Sequence, residues 1–195
     1  IRSITEDLPF FDFNKASRFY AEIIDGGAKP NDLALLGCND RYFLLTGLLN
    51  RKDAIHPWIY DRCREVEARP DGYLDLWARA HYKSTIGTFA GSIQEALDDP
   101  DTVTIGIFAN TREISRPFLS QIKEELESND LLKDVYPDVL WNFPSKEAPT
   151  WSLEDGLTVK RSGNPRECTF EAHGLIDALP TGKHFPFLFY DDVIT

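Results

Sequence analysis

The chain has 195 residues, of which 42% are hydrophobic and 27% charged, and a formal net charge of −11 from 21 Lys+Arg against 32 Asp+Glu. Length and composition suit one domain with some excess, and exclude collagen-like, low-complexity and wholly disordered chains. The acidity excludes a histone-like coat for nucleic acid, so any nucleic-acid contact needs a local basic patch.

The first third of the sequence reads as helical. Asp12 or Asn14 is a candidate cap for a helix through Phe19, Tyr20 and Ile23-Ile24 that stops at Asp25-Gly26-Gly27. Asn39-Asp40 caps a second helix carrying Tyr42, Phe43, Leu44 and Leu48. A third runs from His56-Pro57 through Trp58, Ile59, Cys63 and Val66, with Pro57 in its first turn. After a turn at Pro70-Asp71-Gly72, the run Tyr73-Leu74-Asp75-Leu76-Trp77 reads as a short strand and residues 78–82 as a loop. From Lys83 a helix carries Ile86, Phe89-Ala90, Ile93 and Leu97 at helical spacing. Thr102 to Phe108 reads as a buried strand. An amphipathic helix with Ile114, Phe118-Leu119, Ile122 and Leu126 on one face follows it. Residues 151–172 read as β-rich, with Leu157–Lys160 and Thr169–Ala172 paired around Ser162-Gly163-Asn164-Pro165. The last strand is Phe185–Tyr190. Strand–helix alternation of this kind is expected to build a mostly parallel α/β sheet flanked by helices.

Two segments carry the chemistry. Ala78-Arg79-Ala80-His81-Tyr82-Lys83-Ser84-Thr85 lies between a predicted strand and a predicted helix. Backbone N–H groups at such a helix start hold phosphate oxygens; Lys83 would reach the β- and γ-phosphates and Ser84 would ligate Mg²⁺. The common pattern has glycines where Trp77 and Tyr82 stand. The second segment is Phe187–Tyr190 followed by Asp191 and Asp192. A buried strand ending in acids places them at the sheet's C-terminal edge, where Asp191 would hold Mg²⁺ and Asp192 would orient the attacking water. Read together, the segments point to nucleotide hydrolysis.

With His56-Pro57-Trp58 before the loop and residues 180–195 after it, these segments resemble the large terminase subunit of tailed bacteriophages, from about Asp40 to the end of the chain. In that family an arginine opens the phosphate loop, which is the position of Arg79, and the acidic pair is usually Asp-Glu where this chain has Asp191-Asp192. The resemblance implies a P-loop NTPase-like fold driving double-stranded DNA into a procapsid in the host cytoplasm. The partners would be the portal protein, the small terminase subunit and other copies in a ring. It implies residues 1–55 as an N-terminal helical segment and 56–195 as an incomplete ATPase core with a β-hairpin insertion, the nuclease domain lying beyond Thr195. Arg79 would stabilise transition-state charge, Trp58 would lie beside the adenine, and Lys183 is a candidate for reaching a neighbouring subunit's nucleotide. The start at Ile1 likewise reads as a trimmed or partly represented protein.

Lys160, Arg161 and Arg166 form the clearest basic cluster, on the predicted hairpin, and are the candidate DNA contacts. No run of about 18 apolar residues is present, so no membrane span is expected. Three scattered cysteines without a C-x-x-C pair fit a reducing cytosol rather than a disulfide framework or a zinc site. Two other readings remain: a helicase-like nucleic-acid-stimulated ATPase, and a non-catalytic interaction module with a P-loop-like shape.

Overall fold

In the computed structural model, residues 12–68, 72, 74, 76–78, 80–177 and 182–193 are described. The chain divides into two compact units, 1–86 and 87–195.

The first unit is helical. In α1 (Phe13–Asp25) the Asp12 carboxylate accepts the N–H groups of Asn14 and Lys15, and Gly26 closes the helix by donating to the carbonyl of Glu22. The sequence reading lacks α2 (Pro30–Asn39), which Pro30 opens with a φ already suited to a helix. Asp40 caps α3 (Arg41–Phe43), which continues as a π-helical turn over Leu44–Leu48. His56 caps α4 (Pro57–Glu67), its Nδ1 accepting the N–H of Trp58 at 3.1 Å. The core is a cluster of aromatic rings, with Tyr42 packed edge-on against Phe13 and Tyr60 and Phe43 against Tyr20.

Asp40 ties that cluster together. The fully buried carboxylate accepts the N–H of Phe43 at 2.8 Å, the hydroxyl of Tyr20 and the guanidinium of Arg64. Burial and the neighbouring Asp40 charge push the Tyr20 hydroxyl far above its ordinary pKa, so it remains a neutral donor.

The second unit is α/β. A five-stranded mixed sheet runs in the order β2 (Trp151–Ser152), β3 (Gly156–Leu157), β4 (Phe170–Gly174), β1 (Ile105–Ala109), β5 (Phe187–Tyr190). The pairs β4–β1 and β1–β5 are parallel, and β2–β3 and β3–β4 antiparallel. The expected hairpin around residues 162–165 therefore forms only in part: Leu157 pairs with Phe170, and residues 158–160 lie outside any strand. The pleat puts Ile105, Ile107, Phe170 and Ala172 on one face, and Phe108, His173, Glu171 and Tyr190 on the other. On the second face three ring-bearing neighbours line up across the strands. Phe108 lies 5.3 Å from His173 and 5.5 Å from Tyr190 between ring centroids. The helix α6 (Arg112–Ser128) covers the first face with Leu119, Ile122 and Leu126. A side chain on Gly174, which points to that face, would come within 2.5 Å of the Arg112 nitrogen. Three short helices complete the unit: α5 (Ser92–Asp98), α7 (Asp130–Val135) and α8 (Pro144–Glu147).

The strand expected over Tyr73–Trp77 is a correction. Its described members Leu74, Leu76 and Trp77 are irregular, with Leu74 77% and Leu76 82% exposed. A β run needs a partner strand to satisfy its backbone, and intrinsic preference for a pleated surface does not supply one.

Candidate functional site

The loop predicted to hold phosphate enters a helix as expected. Residues 83–84 are helical, the Ile86 N–H bonds the Tyr82 carbonyl at 2.8 Å, and a π-helical run follows over Thr85–Gly91. π-helical segments concentrate at functional sites. Ala80 has φ +63° and Tyr82 φ +58°, both in the left-handed region that favours glycine. Tyr82 thus adopts a backbone conformation that favours glycine, at the position where the common phosphate-loop pattern has one. A left-handed residue followed by right-handed helical ones turns successive N–H groups toward one concavity, which suits an anion. Arg79 lies outside the described residues. Ala78 and His81 are exposed, and Lys83, Ser84 and Thr85 half-buried.

Two braces hold this loop inside the first unit. The Tyr82 hydroxyl donates to the Asp53 carboxylate at 2.9 Å, and Arg51 donates twice to the same carboxylate at 2.9 and 2.7 Å. The second brace is aromatic. Trp58 lies 5.0 Å from Trp77 and 5.5 Å from His81, and the Arg62 guanidinium sits 3.4 Å above the Trp77 ring. The structure therefore brings Trp58 together with the loop through Trp77 and His81. Arg51 and Asp53 are additions, since an R-x-D spacing carries no signal by itself.

The Arg51 hydrogen bonds, with Tyr82's, hold Asp53 at a pKa of about 2, below its ordinary 3.8. A depressed carboxylate contributes its stabilisation above the unfolded pKa and loses it as pH falls toward the folded one. The brace is therefore expected to be intact above about pH 4 and to fail between about pH 4 and 2. A ¹³C titration of the Asp53 carboxyl reads this directly, and Arg51→Ala should move the midpoint up toward the ordinary value.

The acidic pair divides into two environments. Asp191 is 6% exposed and its Oδ2 accepts the Thr88 hydroxyl at 2.7 Å. Its N–H bonds the Phe108 carbonyl at 2.8 Å, carrying the β1–β5 ladder one residue past the strand. Asp192 is exposed, has φ +47°, and accepts the Asn110 N–H on its carbonyl at 3.2 Å. Three of the four described non-glycine residues with positive φ, Ala80, Tyr82 and Asp192, therefore fall in the two motifs. Strain of this kind persists where the surroundings over-determine it, commonly at functional sites. Thr88 is a residue that sequence reasoning missed. It stands four positions after Ser84, on the same helical side, and that spacing is its only sequence signal.

Among the described residues no group of three His, Cys, Asp or Glu side chains could hold a metal. A buried carboxylate fixed by a hydroxyl nevertheless fits Mg²⁺, which takes hard oxygen ligands, keeps several waters and needs only one or two protein groups beside phosphate oxygens.

The basic candidates are engaged within the second unit. Lys160 donates to the Pro137 carbonyl at 2.8 Å, Arg161 to the Glu167 carbonyl at 2.9 Å and Arg166 to the Gly182 carbonyl at 3.1 Å. Lys183 is paired with the carboxylate of Glu171. No helix among the described residues is long and apolar enough to cross a membrane. Searches of family models, curated proteins and solved structures find no match to this chain.

Proposed function

We propose that this chain binds and hydrolyses ATP, as the ATPase region of a motor of the terminase large-subunit kind that moves double-stranded DNA into a procapsid. The observation that carries the reading is the left-handed backbone of Tyr82, at the glycine position of the phosphate-loop pattern and directly before Lys83 and Ser84. Nucleotide recognition divides among named groups. Backbone N–H groups at the helix start take phosphate oxygens, Lys83 neutralises their charge, and Trp58 offers a ring to the base. Asp191 would hold Mg²⁺, with Ser84 as the hydroxyl ligand of the pattern; when bound, the ion neutralises charge on the phosphates. Thr88 fixes one oxygen of Asp191, and exposed Asp192 orients the water. Arg79, by the same reading, steadies charge in the transition state. The portal protein, small terminase subunit and ring partners, and weak DNA contact through Lys160, Arg161 and Arg166, belong to this proposal, as does action in the host cytoplasm.

The replacement of glycine by Tyr82 favours a second reading, a module that keeps the loop's shape without its chemistry. Calorimetric titration of Mg·ATP into the parent chain and Lys83→Ala separates the two. The ATPase reading expects saturable binding by the parent, weakened about tenfold or more by the substitution. No binding by the parent, or equal binding by both, overturns it in favour of the inert module.

A further inference from the structure

A cavity of about 550 Å³ lies in the second unit on the far side of β1 from β5. Its place follows from the topology. β3 pairs with β4 at Phe170, so, among the described residues, 171–174 have no strand partner on that side and the gap stays open. The connections leaving β1 and β4 diverge. After β1 the chain enters α6 on the Ile107 face, whereas residues 183–185, before β5, lie over the opposite face. There Lys183 bonds Glu171 and Phe185 lies 6.2 Å from Phe108. Adjacent parallel strands whose connections part to opposite faces leave a crevice at their C-terminal ends, the usual ligand position of open α/β sheets.

The lining is charged and built. Glu171, 3% exposed, accepts Lys183, His173 and the Cys168 N–H. Burial alone would push its pKa up, but the bonds from His173 and Lys183 outweigh it and the net shift is down, so the carboxylate stays ionised and anchors both side chains at the wall. Arg112 is held by Glu154 through the guanidinium, leaving its Nε buried without a hydrogen-bond partner. The Asp177 carboxylate, from an exposed residue, reaches in to accept the Arg112 N–H at 2.7 Å. A Cβ at position 174 would lie 2.0 Å from that Asp177 oxygen, so only glycine leaves room for the approach.

We infer that this cavity is a binding site for a phosphate-bearing small molecule, and that Asp177 occupies the anion position in its absence. Glu171 and Glu154 are committed to cations. Asp177 bonds a backbone N–H at the start of α6, where the helix dipole favours any anion. A phosphate displacing it gains that N–H, with Arg112, Lys183 and Arg166 among the cationic residues that line the cavity.

The test titrates inorganic phosphate into the full chain carrying Lys83→Ala, which removes the lysine of the proposed ATP site, and follows the Arg112 and Gly174 amides by ¹H–¹⁵N NMR. Removing the internal competitor with Asp177→Ala should tighten phosphate binding about tenfold, because the site is then always vacant. Arg112→Gln in that background should weaken it again. Asp177→Asn keeps the bond and drops the charge, so it should fall between; it stands in if the alanine variant does not fold. Saturable shifts at those amides that sharpen with loss of the Asp177 charge support the site. Absence of saturable shifts in the Asp177 variants, or unchanged affinity, overturns it.

Discussion

On the proposed ATPase reading, Asp191→Asn is expected to leave the fold in place and to reduce Mg²⁺-dependent ATP turnover by about a hundredfold or more. Asparagine has the same size, and its side-chain oxygen can still accept the Thr88 hydroxyl, so the bond that positions the residue survives. What disappears is the negative charge, and with it the one buried carboxylate at the end of β5. Thr88→Val isolates the other half. It removes the donor and leaves a carboxylate of low exposure short of a partner, which destabilises by about 1–3 kcal/mol. Turnover should then fall less than in Asp191→Asn. The readout is phosphate release at saturating ATP across a Mg²⁺ series. Turnover by Asp191→Asn equal to the parent's would remove Asp191 from the chemistry.

The largest stability effect is expected at Asp40. Asp40→Ala removes the acceptor of the Tyr20 hydroxyl, the Phe43 N–H and the Arg64 guanidinium at once. Breaking a buried pair from one side leaves an uncompensated charge, so the loss should be about 3–5 kcal/mol. Arg64 keeps Glu67 at 3.2 Å, which places the effect nearer the lower end. Asp40→Asn retains an acceptor for the cap and should lose less. Chemical denaturation followed by hydrogen exchange of the amides of residues 41–48 measures both, since these amides belong to the first unit and report its unfolding. A loss below about 1 kcal/mol for Asp40→Ala would show that water replaces the missing oxygens.

Local signals were legible wherever the chain's own chemistry decides the outcome. Asp12, Asp40 and His56 cap helices because each has an acceptor that reaches N–H groups two or three residues on; the sequence offers Asp12 or Asn14 and Asn39-Asp40 as caps and starts the third helix at His56-Pro57 without naming its cap. The strand Phe187–Tyr190 and the acids after it were legible from an apolar run with an abrupt end. The segment Tyr73–Trp77 was not, because its pattern describes a strand while strand formation depends on a partner the pattern cannot supply. Helix α2 went unread because an apolar stretch with a mid-helix glycine shows weak periodicity. At the candidate site Lys83, Asp191 and Asp192 were readable as residue types at motif spacing. Thr88 and Asp53 were not, since each matters only through a contact across a long span of chain, 103 residues for the first and 29 for the second.

The strand order places β5 last, with Leu188 and Tyr190 exposed on it. Among the described residues, one side of that ribbon meets β1 and the other offers main-chain donors and acceptors to whatever extended peptide arrives. Open edges of this sort nucleate intermolecular β-pairing, and natural sequences commonly blunt them with lysine or proline. Phe187–Tyr190 contains neither. This edge is therefore the position at which an extended peptide would add a strand to the sheet.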